Sequence, residues 1–110
     1  GGPGFACSAN IGASVAIFEP SHGSAPSHAA FDVPIVNPIA AIRSAALLAE
    51  HSGAPDVAAR IRDAIASVVA EGRVRTYDML RLHAGADVLA RGAAGTRAMA
   101  DAIVAKLARR

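Results

Sequence analysis

One strand-forming run, SVAIFEP from Ser14 to Pro20, constrains this 110-residue chain more than any other feature. Apolar and β-branched residues lead up to a proline that cannot extend a hydrogen-bonded ladder, so the run reads as a short buried strand. A strand standing alone leaves N–H and C=O groups unpaired along both edges, and those groups must be met or be costly. Before it, residues 1–13 carry four glycines and a proline and read as a glycine-rich turn. After it, the chain turns to a helical period, so it offers two short strands at most. The expectation is an α/β chain, 1–110, that forms part of one domain and is incomplete on its own, completing its sheet within a larger protein or with a partner.

Three helices are predicted. Asn37 followed by Pro38 pairs a capping residue with a proline at the first helical position, and Ile39, Ile42, Ala46 and Ala49 continue one face up to Gly53. A second helix runs from about Pro55 to Glu71, with Val57, Ile61, Ile65 and Val68 inward, Arg60, Arg62 and Asp63 toward water, and Gly72 as its stop. The third begins after Thr96 and buries Met99, Ile103 and Leu107. Between the last two, RVRTYDMLRLHAGADVLARGAAG is polar at its start and then punctuated by glycine.

Composition removes several function classes. Ten arginines and one lysine against nine acids give a net charge of +2, spread along the chain and not interleaved with aromatics, so nucleic acid is not an expected partner. No apolar run reaches the roughly 18 residues that cross a bilayer, and the opening GGPGFACSANIG has neither a basic leader nor an apolar signal core, so no membrane association is expected. One cysteine, Cys7, can form no internal disulfide and no thiolate metal site. A reducing compartment, the cytoplasm, fits, with Cys7 read as a small packing residue.

Phe18 to Pro38, FEPSHGSAPSHAAFDVPIVNP, is where chemistry concentrates. It contains no Walker lysine, no GxGxxG turn and no third ligand near His22 and His28. The small residues after His22 let a ligand approach backbone N–H groups closely, and Pro26 stiffens the segment. That suits a flat base or a phosphate. A surface loop with merely solvated histidines accounts for the same residues equally well.

The order of blocks supplies more. GGPGFACSANIG, AIFEPSHGSAP, VNPIAAIRSAALLAEH and RTYD together resemble the C-terminal part of the isocitrate and isopropylmalate dehydrogenases, metal-dependent β-decarboxylating enzymes, over almost the whole chain. The resemblance implies the C-terminal part of that family's large α/β domain, with a nicotinamide cofactor site that uses no Rossmann glycine turn. It places His22, Gly23, Ser24, Ala25 and Pro26 under the adenosine and gives Asn37 a hydrogen bond to adenine. Where NAD enzymes of the family place an aspartate after the HGSAP block, this chain has Ser27 followed by His28, leaving no carboxylate to repel a 2′-phosphate. Tyr77 and Arg81 match the spacing with which the NADP-dependent isocitrate enzymes grip that phosphate; on a helical turn they would share a face. The other reading has Tyr77 packed and Arg81 solvated.

The resemblance therefore implies an NADP-linked enzyme oxidising a 2-hydroxy acid, isocitrate first, with magnesium or manganese held by residues upstream, and a homodimer as the full-length protein. No catalytic or metal-ligating residue is assigned within the chain, which is expected to be inactive alone. An NAD-linked isopropylmalate, homoisocitrate or tartrate dehydrogenase is the alternative, as is a non-catalytic remnant of the fold.

Overall fold

The computed structural model describes residues 4–108. Gly1, Gly2 and Pro3 of the opening motif lie outside them, as do Arg109 and Arg110. The strand expected at Ser14–Pro20 is found as β2, Ala16–Pro20. Its partner comes from the glycine-rich opening that reads as a turn: β1, Cys7–Ile11, pairs antiparallel with Cys7 opposite Pro20 and Ile11 opposite Ala16. Gly12 N–H closes the connecting turn on Val15 O at 2.8 Å. The strand is not buried as expected. Phe18 tilts against the His51 ring at 5.4 Å while Ile17 on the opposite face remains 55% exposed, because helices cover only one side of this two-stranded sheet.

Three helices follow. The first, α1, is Ile39–His51. Its regular bonding begins one residue beyond the expected first turn, with Pro38 in the cap position, yet Asn37 still provides the cap: its Oδ1 accepts from Ile39 N–H at 2.9 Å. The second, α2, is Pro55–Glu71 as expected, closed by Gly72 at φ +67, a left-handed conformation that glycine adopts without steric cost. The third, α3, is Thr96–Ala108. No helix among the described residues is long and apolar enough to cross a membrane.

Two clusters make the core. Ile39, Ala64, Ile65, Val68, Met99 and Ile103 join the three helices, with Ile61 and Leu107 packed at the margin. Val57, expected inward, is 40% exposed; Ala58 and Ala64 take the buried positions, so the inner face of α2 is shifted toward its alanines. The second cluster, Ile35, Val88 and Ala93 with Phe31, Tyr77, Leu80 and Leu82, gathers the irregular segments. Thr96 binds these to the helices: its N–H donates to Pro34 O at 3.0 Å and its hydroxyl to Val36 O at 2.6 Å.

Met99 sits at the meeting of all three helices with no exposure. Met99→Ala is expected to destabilise by about 2–5 kcal/mol, the range for emptying a packed core position. Val104→Ala, at a site 58% exposed on the same helix, is expected to change stability by under about 0.5 kcal/mol. Urea unfolding midpoints of the two variants check the contrast.

Candidate functional site

The polar segment after β2 folds into a short wall. Ser21 N–H donates to Ala6 O at 2.9 Å, which anchors the exit from the hairpin. His22, Gly23, Ser24 and Ala25 then lead into a single 3₁₀ turn, Pro26–Ala30. Ala25 takes φ +46, unusual for a residue with a Cβ, and its carbonyl accepts from His28 N–H at 3.0 Å. Gly23 is different. A Cβ added there would meet nothing within 4 Å, so packing does not explain the glycine, and its backbone is open to close approach from outside.

Opposite this wall, Thr76–Arg81 forms one helical turn ending in a Schellman arrangement: Leu82 N–H reaches Tyr77 O at 2.9 Å and Arg81 N–H reaches Asp78 O at 3.1 Å. The residue in the left-handed position, normally glycine, is Arg81 at φ +59. Arg81 therefore ends the turn instead of continuing a helix. Its side chain is exposed and makes no ion pair among the described residues.

Between the two walls lies an open cavity of about 420 Å³, lined by His22, Gly23, Ser24, Ala25, His28, Val36, Asn37, Tyr77, Asp78 and Gly4. Seven of the ten sequence-predicted residues thus meet at one place. Of the other three, Pro26 lines an adjoining recess with His28, Ser27 is exposed at the start of the 3₁₀ turn, and Arg81 stands outside the lining. His28 stacks on Phe31 at 5.5 Å and meets the edge of Tyr77 at 6.1 Å, while its Nδ1 is buried with no hydrogen-bond partner. A buried unpaired nitrogen costs about 1–3 kcal/mol, so this ring has something to gain from a ligand or a shift in the ring.

Asp78 is the residue that sequence reasoning missed. Its Oδ2 accepts from Asn37 Nδ2 at 3.1 Å and its Oδ1 from the Thr76 hydroxyl at 2.5 Å. A Cβ on Gly4 would lie 2.5 Å from the same carboxylate, so a side chain there would collide with it. Asn37, 2% exposed, consequently has its oxygen held by Ile39 and one amide hydrogen held by Asp78. No group of three or more His, Cys, Asp or Glu side chains able to hold a metal occurs among the described residues.

With this geometry the relationship to known proteins is direct: the chain belongs to the isocitrate/isopropylmalate dehydrogenase family, whose model matches residues 1–103. Its relatives include an isocitrate dehydrogenase [NADP] of Archaeoglobus fulgidus, 40% identical over 97% of this chain and 24% of the relative. Another, of Haloferax volcanii, is 43% identical over 82% of this chain and 21% of the relative. The solved isocitrate dehydrogenase from Methylococcus capsulatus superposes with a TM-score of 0.80 at 41% identity, across 97% of this chain and 28% of that one. The expected fold is therefore borne out as the corresponding part of a larger α/β protein, and the chain spans about a quarter of the length of the curated relatives it matches.

Burial first, and then the Asp78 charge, push the Tyr77 phenol above its ordinary value of 10.0. A raised folded-state value means that the neutral phenol contributes stability below pH 10, which is lost as pH rises through the higher folded value. Tyr77 is the sole tyrosine and the chain has no tryptophan. Alkaline absorbance titration of the 110-residue chain is therefore expected to show one phenolate transition with its midpoint above 10 in the folded state, falling to about 10 in denaturant.

Proposed function

We propose that this chain forms the adenosine side of the NADP site in an isocitrate-oxidising, β-decarboxylating dehydrogenase. The observation that carries the reading is the cavity itself, which brings His22–Ala25, His28, Asn37 and Tyr77 together from segments far apart in sequence. The residues fit such a cofactor. Gly23 offers an unobstructed backbone, His28 has an unpaired buried nitrogen, and Tyr77 a phenol kept neutral and so able to donate. When bound, the dinucleotide supplies the hydride acceptor for oxidation of the 2-hydroxy acid. The chain's own part is to bind and orient it. For the divalent metal of such a reaction the described residues gather no donor set, and the metal site is assigned to other parts of the protein. The reading extends to a cytoplasmic homodimer.

NADP is preferred over NAD on three grounds. Ser27 brings no carboxylate to repel a 2′-phosphate, and the relatives named above carry NADP in their names. Arg81 supplies a guanidinium that no described carboxylate neutralises. Its left-handed backbone costs about 1–2 kcal/mol that glycine would not incur, a strain suited to a residue retained for its side chain.

That strain makes the test diagnostic. In the complete enzyme, Arg81→Gly is expected to weaken NADP binding by about 1.5–3 kcal/mol, leave NAD nearly unchanged, and hold or raise the thermal midpoint. Ser27→Asp is expected to move the ratio of kcat/KM values toward NAD. Equal losses for both cofactors would remove the phosphate role, and a parent enzyme that prefers NAD would overturn the cofactor assignment. The 110-residue chain alone is expected to show no turnover of isocitrate with manganese and NADP, and detectable turnover would place the metal chemistry within it.

A further inference from the structure

Three residues outside the cavity lining join the segments that carry it. Ala94 N–H donates to Arg75 O at 2.7 Å, and Thr96 N–H donates to Pro34 O at 3.0 Å. The Thr96 hydroxyl adds a bond to Val36 O at 2.6 Å. Val36 and Asn37 line one part of the cavity, while Tyr77 and Asp78, shortly after Arg75, line another. Ala94–Gly95–Thr96 is therefore a strap whose ends are bonded to both. Its path is fixed as well as its ends: a Cβ on Gly95 would stand 2.9 Å from Pro34 O and 3.4 Å from Val33 Cγ1, so the backbone lies too close to that carbonyl for a side chain. The strap also leads into the helices, because Met99 N–H donates to Gly95 O at 3.2 Å and Met99 is fully buried in their shared core.

The irregular segments have little else to hold their spacing. Pro34 has no N–H to give, and the cluster beneath them rests on three buried side chains. Of the bonds that anchor the strap, the Thr96 hydroxyl makes the one that a side-chain change can remove without altering the backbone. Resting on the proposed dinucleotide site, we infer that Thr96 is a positioning residue, which through Val36 holds Asn37 at its working distance from Tyr77 and so reduces the ordering that cofactor binding must supply. Thr96 touches no ligand. Its effect consequently falls on affinity for the dinucleotide as a whole, and NADP and NAD weaken together when the hydroxyl is lost.

The experiment measures dissociation constants for NADP and NAD, kcat at saturating cofactor and thermal midpoints in the complete enzyme, with binding read well below each midpoint so that the protein is folded. Thr96→Val keeps the shape and removes the donor. It is expected to raise both dissociation constants about 5- to 30-fold, the span of one lost hydrogen bond, with kcat little changed. Thr96→Ser, which returns the hydroxyl, is expected to recover most of that loss. Gly95→Ala keeps the hydroxyl and displaces the Pro34 carbonyl, and is expected to weaken both cofactors in the same sense. A role confined to folding would lower the midpoint of Thr96→Val and leave the folded protein's dissociation constants at parental values, and that result overturns the inference. A serine variant no better than the valine one overturns it too, as does a loss confined to NADP. Should Thr96→Val fail to fold, Gly95→Ala decides, and parental constants there overturn the inference. Failure of the parent to bind either cofactor overturns instead the dinucleotide reading beneath it.

Discussion

The hydrogen bond between Asn37 and Asp78 is the contact that fixes the polar wall of the site. It joins residues 41 positions apart, and the chain between them contains all of α1 and α2. Bonds to charged groups contribute about 1.5–3 kcal/mol, enough to hold one side-chain arrangement but not to assemble two helices. The order of cause is consequently from packing to site. Ile39, Ile65 and Val68 bring the helices together, the chain after Gly72 packs Val74 and Met79 against the same cluster, and Thr76 and Asp78 arrive beside Asn37. Ala40 N–H, bonded to Gly4 O at 3.1 Å, fastens the start of the described chain to the same corner.

Asn37 works in two directions at once. Its oxygen satisfies a first-turn N–H of α1 and its nitrogen faces the carboxylate, so helix initiation and cavity lining share one side chain. The neighbouring wall depends on different forces. His22–Ala25 is held through Ser21 and the 3₁₀ turn, while the second core cluster under Tyr77 is closed by Thr96 on Pro34 and Val36.

Elements with strong local punctuation were legible in the sequence. The second helix begins at Pro55 and ends before Gly72 because fixed φ and permissive φ act locally, and the Met99–Ile103 spacing marks the third in the same way. The first strand was not legible. Cys-Ser-Ala-Asn-Ile alternates in polarity but is built mostly of small residues with little β-propensity, and its pairing with β2 is decided by the turn between them. Arg81 in the glycine position of a Schellman turn carries no signal in residue type, so a helical spacing argument could not show that the turn ends there. The loop histidines could be located by their motif, but the carboxylate across the cavity could not, since nothing near Asp78 in the chain points to Asn37.

The division of the core has a consequence for how the molecule opens. The larger cluster joins three helices through six buried residues, whereas the smaller rests on Ile35, Val88 and Ala93 beneath segments with little regular backbone bonding. Cooperative units with fewer buried contacts open at lower free energy than the molecule as a whole. Amide protons around Tyr77, Leu80 and Leu82 should thus exchange through sub-global fluctuations that leave α1–α3 closed. Since one wall of the cavity belongs to this weaker unit, an occupant would gain affinity partly by suppressing those fluctuations, and the helices would register its arrival hardly at all.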